Sequence, residues 1–178
     1  MPFACHINQT KLQAMSSSAL NKKETKECRK TLETLVKNSN AIIASVLSSP
    51  DGLLLAHATA DSFELEADSV AAMSASVISL TDALAGQAGQ AMSDKVISDS
   101  KDSSLVILHA GSLILTVIGK SDANMGMVLT SSRRVAEDIV EAVAAASKEP
   151  EEGVFTFDSD ALLARVMKEA EEMKNKNK

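Results

Sequence analysis

Residues 104–119 read SLVILHAGSLILTVIG, and they limit the fold more than any other part of the chain. Two runs, 104–110 and 112–119, are dominated by β-branched and long aliphatic residues, which favour strands. His109-Ala110-Gly111 joins them, with Gly in the special position of a tight turn. The pair therefore reads as a hairpin. Neither run alternates apolar with polar residues. A strand that is apolar on both faces must be covered on both faces. This predicts a sheet enclosed between two layers of helix.

The rest of the pattern supplies those layers. In ETKECRKTLETLVKNSN, Cys28, Leu32, Leu35 and Val36 fall on one stripe, giving an amphipathic helix that Asn38 to Asn40 end. In AIIASVLSSPDGLLLAHATA, two apolar runs flank Ser49-Pro50-Asp51-Gly52. Pro presets the first turn position, Asp suits the second and Gly takes the left-handed one, so a second hairpin is expected. Residues 65–91 carry the longest helical pattern. Val70, Met73, Val77, Leu80, Leu84 and Ala88 form one stripe, predicted to face the sheet. Ala67, Ala71, Ser74, Ile78, Ala85 and Gly89 form a second, mostly small stripe, predicted to face a neighbouring helix. Asp68, Ala75, Ser79, Asp82 and Gln90 make up a weakly polar third face. KVISDSK (95–101) is polar, as an edge strand is. A further helix follows in NMGMVLTSSRRVAEDIVEAVAAAS, with a regular stripe from about Ser131 through Val135, Ile139, Val140 and Val143. Beyond Pro150, Asp158 and Ser159 cap a last amphipathic helix bearing Leu162, Leu163, Val166, Met167 and Ala170.

The predicted class is α+β: a five-stranded, mainly antiparallel sheet with helices on both faces, plus a C-terminal helix. Residues 1–23 read as a flexible tail, 24–148 as the domain, and 149–178 as a charged linker and amphipathic helix.

Composition narrows the function. Hydrophobic residues make up 45% of the chain and aromatics only 2%, with no Trp or Tyr. The core must be aliphatic, and rings on which sugars or bases could stack are scarce. A net charge of −6 argues against nucleic acid, which requires a basic footprint. MPFACHINQTKLQAM has no basic start followed by an apolar block, so no signal peptide is expected. No apolar run reaches the roughly 18 residues of a membrane span, so no membrane insertion is expected. Cys5 and Cys28 form no C-x-x-C pair and no metal spacing, which fits a reduced, cytoplasmic protein.

Several stretches invite a catalytic reading. LTVIGKSDANMG (115–126) contains Gly119-Lys120-Ser121, the tail of a phosphate-binding loop. That loop needs G-x-x-x-x-G-K-[ST], and the first Gly falls where Ile114 stands, so the cradle is missing. His57 and His109 lie near the polar ends of apolar strands. They could act as acid and base or hold a metal, but no carboxylate lies close in sequence to orient them. Arg133-Arg134, at a helix start, suggests an arginine finger against an ordinary surface role. There is no G-x-S-x-G. No catalytic, cofactor-binding or metal site is predicted.

The segments IIASVLSSPDGLLLAHA, LEADSVAAMSASVISLTDALAG, LVILHAGSLILTVIG and ANMGMVLTSSRRVAEDIVEAV together resemble the roadblock / dynein light chain family in its prokaryotic branch, over residues 24–146. The resemblance implies a profilin-like sheet that dimerises by pairing its third strand across a two-fold axis, with the long helices of both copies side by side. It implies no cofactor, and a role regulating or scaffolding Ras-like small GTPases. One bacterial branch, acting in cell polarity and gliding, stimulates GTP hydrolysis by its partner. Carried onto this chain, the pairing edge is Lys95, Val96, Ile97, Ser98, Asp99, Ser100 and Lys101. The dimer- or partner-facing helix spans 65–90, with Ala67, Asp68, Ala71, Ala75, Ile78, Ser79, Asp82 and Gln90. The expected state is a homodimer, or a heterodimer with a related chain. Polarity-type members also contact the GTPase through a C-terminal extension, where segment 158–174 stands. Two other readings stay open: a profilin-like or PAS-like module holding a small ligand between sheet and helix, and a weak hydrolase using His57 or His109.

Overall fold

The computed structural model describes residues 20–146. The chain separates into Met1–Lys148 and Glu149–Lys178, and the elements that follow belong to the first unit. The expected C-terminal helix at 158–174 and most of the expected tail lie outside the described residues. In order, the elements are α1 (Lys22–Asn38), β1 (Ile42–Ser48), β2 (Leu54–Thr59), α2 (Ala67–Gln87), β3 (Lys95–Asp99), β4 (Ser103–Ala110), β5 (Leu113–Lys120) and α3 (Met125–Ala146). The five strands form one antiparallel sheet in the order β2-β1-β5-β4-β3.

The β4–β5 hairpin is covered on both sides, as its sequence requires. Val106, Leu108, Ala110, Leu113, Leu115 and Val117 join Cys28, Leu32, Val135 and Ile139 in a core beneath α1 and α3. Ile107 and Ile114 point the other way, under Ala75 and Ile78 of α2. Nearer β1, Val46 packs against Ala67 and Ala71.

Both outer helices start earlier than their apolar stripes suggest. The Asn21 side chain accepts from the amides of Lys23 and Glu24, and Glu24 accepts the Asn21 amide at 2.8 Å. This capping box begins α1 at Lys22, inside the segment read as tail. Asn124 does the same for α3, accepting from the Gly126 amide at 2.9 Å and the Met127 amide at 3.3 Å.

The orientation of α2 is opposite to the expected one. The small stripe faces the sheet: its Ala67, Ala71, Ser74 and Ile78 are buried, as is Ala75 of the weakly polar face. The large stripe faces outward, with Met73 59%, Val77 41%, Leu80 64% and Leu84 62% exposed. Volume explains the reversal. Val46, Ile107 and Ile114 already fill this side of the sheet, so a close-packed layer needs small partners above them. The turn between β1 and β2 confirms how close α2 lies. Gly52 sits at φ +86°, and a Cβ there would stand 2.9 Å from the Ala72 Cα.

Cys28 is fully buried in the lower core. Burial, with a smaller contribution from Glu24, pushes its thiol up to about 11.

Two outcomes follow from this packing. Gly52→Ala combines an unfavourable left-handed φ with a backbone contact that cannot yield, and should cost about 2–3 kcal/mol in urea unfolding. For Cys28, the unfolded thiol ionises first, near its ordinary value of 9.0, while the folded one holds its proton to about 11. Stability should therefore fall between those pH values in the native chain more steeply than in Cys28→Ala. The difference between the two unfolding curves measures it.

Candidate functional site

The residues that hinted at a nucleotide site are spent on the fold. Gly119 and Lys120 end β5, and the Lys120 amide donates to the Ala41 carbonyl at 2.9 Å. It is not free to meet an anion, as a phosphate cradle requires. A Cβ on Gly119 would lie 2.6 Å from the Ser104 hydroxyl and 3.3 Å from the Ala41 carbonyl. The glycine is there so that β1, β4 and β5 can close together.

The histidines do not meet. His57 is on β2 and His109 on β4, with β1 and β5 between them, a spacing of about 14 Å. His109 has a carboxylate neighbour, contrary to the sequence reading. Its Nε2 lies 3.2 Å from the Asp82 carboxylate of α2. The same carboxylate accepts the Ser93 amide at 2.8 Å. Asp82 thus ties the end of α2 to β4 and to the segment leading into β3. This is a latch between elements, built from residues 27 positions apart in sequence.

Arg133 and Arg134 sit well inside α3 rather than at its start, because Asn124 caps the helix earlier. Both are exposed, and they line different grooves. The larger groove, about 820 Å³, lies between α3 and the sheet end, bordered by Lys95, Leu108, His109, Arg133 and Val140.

Two surface features remain. First, β3 is an outer strand of the sheet, with Lys95–Asp99 pairing only to β4 among the described residues. Its Val96 packs toward Ala75 and Ile78, while Ile97 is 42% exposed on the opposite face. Second, α2 presents Met73, Val77, Leu80 and Leu84 to its outside. By length and composition alone α2 is apolar enough to cross a membrane. Its small face, however, is committed to the sheet. Its outer face carries no Lys or Arg that would hold it to an anionic lipid surface.

The residues assigned to the partner-facing helix divide accordingly. Ala67, Ala71, Ala75 and Ile78 are buried against the sheet and Asp82 is held in the latch, whereas Asp68, Ser79 and Gln90 are exposed. The outward apolar residues are those the sequence reading had sent to the sheet.

Among the described residues, an unpaired strand edge therefore lies beside an exposed apolar helix face. The chain belongs to the Roadblock/LC7 family, whose domain model matches residues 29–119. Solved structures of the same fold include an MglB with a tetrameric arrangement, at TM-score 0.66 and 24% identity over 73% of this chain and 97% of that one. The gliding protein MglB of Thermus thermophilus matches at TM-score 0.65 and 22% identity, over 72% of this chain and 97% of its own. MglB of Myxococcus xanthus matches at TM-score 0.66 and 19% identity, over 75% and 99%. No curated protein matches the chain.

Asp82→Ala should leave the Ser93 amide and His109 without their acceptor, at about 1–2 kcal/mol. Amide exchange in residues 88–94 should quicken in that variant. Asp82→Asn, which keeps an acceptor for Ser93, should lose less.

Proposed function

We propose that this chain is a non-enzymatic, cytoplasmic roadblock module that forms a dimer and binds a Ras-like small GTPase, regulating or positioning it. The observation that carries the reading is the outward face of α2. Four large aliphatic side chains in a row stand in water on one helix of an otherwise well-buried domain. Such a face marks a site that another protein covers. Pairing of β3 across a two-fold axis would extend the sheet and bring two such helices together, doubling the apolar surface. Family membership supports a regulatory rather than a catalytic role. The tetrameric arrangement of one MglB supports self-association, and the gliding role named for the Thermus MglB fits the polarity branch that the sequence resembles.

The small-ligand reading places its site in a sizeable cavity between sheet and helix. The larger groove, between α3 and the sheet end, is lined by charged residues including Lys95, Arg133, Glu137 and Glu141. Nothing in that groove favours a small ligand over a peptide or a second copy.

Mixing the chain with small GTPases of the same cell, loaded with GDP or a GTP analogue, should give co-elution with at least one. GTP hydrolysis followed alongside tells activation from positioning. Leu80→Glu/Leu84→Glu should weaken that binding at least tenfold while leaving the thermal midpoint within about 2 °C, because both side chains are exposed. Light scattering on each variant, with refractive-index detection since the chain has no Trp or Tyr, separates a lost dimer from a lost GTPase contact. Absence of binding to every GTPase in both nucleotide states would refute the proposal.

A further inference from the structure

The free edge of β3 carries its own instructions for pairing. The Ser100 amide donates to the Ser103 carbonyl at 3.0 Å, closing the β3–β4 turn. Backbone groups alternate in direction along a strand. Val96 and Ser98, of the same parity as Ser100, therefore turn their amides toward β4. Lys95, Ile97 and Asp99 turn theirs outward, away from the sheet. A second copy can hydrogen-bond to this edge only through those three residues.

Side chains restrict the pairing further. Lys95, Ile97 and Asp99 lie opposite Leu108, Val106 and Ser104 of β4, so they share the sheet face that α1 and α3 cover elsewhere. Lys95 and Asp99 make no ion pair among the described residues. Ile97 is 42% exposed. A two-fold axis normal to the sheet keeps this face on the same side in both copies. Centring the axis on any residue of β3 keeps outward amides opposite outward amides, and the three inner residues give the longest overlap. Centred on Val96, the pairing sets Lys95 against the partner's Ile97. Centred on Ser98, it sets Ile97 against the partner's Asp99 and Lys95 against the partner's Lys101. Centred on Ile97, it sets Lys95 against the partner's Asp99, twice, and Ile97 against its own copy on the axis. Only the last centre gives every residue of β3 a partner within β3, with opposite charges matched and the exposed isoleucine buried.

We infer that the chain dimerises through β3 in this register: antiparallel, with Ile97 on the two-fold axis and Lys95 paired to the partner's Asp99 on either side of it. The inference rests on the dimer proposed above and adds its register and its selectivity. Opposed charges at fixed positions on an exposed edge also disfavour slipped or parallel pairing and foreign strands. The bond between copies is thus a short apolar contact between two ion pairs, and it continues the floor of the groove that Lys95 and Leu108 border.

Charge swapping tests it on the full-length chain. Lys95→Asp or Asp99→Lys alone sets like charges opposite each other at two places and should raise the dimer dissociation constant about tenfold or more. Lys95→Asp/Asp99→Lys restores the pairs in reverse and should return to within about threefold of the native value. In a Cys5→Ser background, Ile97→Cys should form an interchain disulfide under mild diamide oxidation, since the paired backbones lie within bridging distance. Ser98→Cys should not. A native chain that dimerises while the double swap fails to recover and Ile97→Cys stays uncrosslinked would overturn the register and leave the dimer standing. A native chain that is monomeric at micromolar concentration would overturn both.

Discussion

Two-sided burial of the β4–β5 hairpin is the constraint on which the rest of this structure depends. Residues of alternating parity along these strands enter two separate cores. Val106, Leu115 and Val117 go beneath α1 and α3, and Ile107 and Ile114 go beneath α2. Once a central hairpin is apolar throughout, the sheet cannot expose either face, and a helical layer is needed on each. The two layers are unequal. Among the described residues, one has two helices that also pack on each other, and the other has α2 alone. A single helix on a wide sheet leaves its own outer face uncovered, and in this chain that face is apolar.

That imbalance links the fold to the proposed function. A helix whose outer face carried lysines and glutamates would finish the domain. Here the outer face carries Met73, Val77, Leu80 and Leu84, beside a strand whose edge is unpaired among the described residues. The two unfinished features adjoin, because Val96 of β3 packs beneath Ala75 and Ile78 of α2. The Asp82 carboxylate holds the connection between them by gripping His109 and the Ser93 amide together. The proposed interaction surface sits on packed elements with its connecting segment tied down, which would require little reordering on binding.

Much of this was legible in the sequence. The hairpins, the polarity of the edge strand and the absence of a phosphate loop follow from local pattern and turn chemistry. Capping was less visible, because Asn21 and Asn124 start their helices before any apolar period appears. The error at α2 has a clear source. Hydropathy ranks Leu80 and Met73 above Ala71 and Ala75, so periodicity assigns the larger residues to the core. Which stripe goes inward depends on the volume available over the sheet, and other segments of the chain set that volume.

The sequence by itself determined the order of elements, the need for two helical layers and the edge position of β3. These depend on residue type and on spacing within a few positions, where sterics and hydrophobic period act directly. Tertiary structure alone decided which face of α2 is bare, which carboxylate meets His109, and why Gly119 must lack a side chain. Each of those is a contact between segments distant in sequence, such as Gly119 against Ser104 and Ala41. Close packing, rather than local preference, selects such contacts.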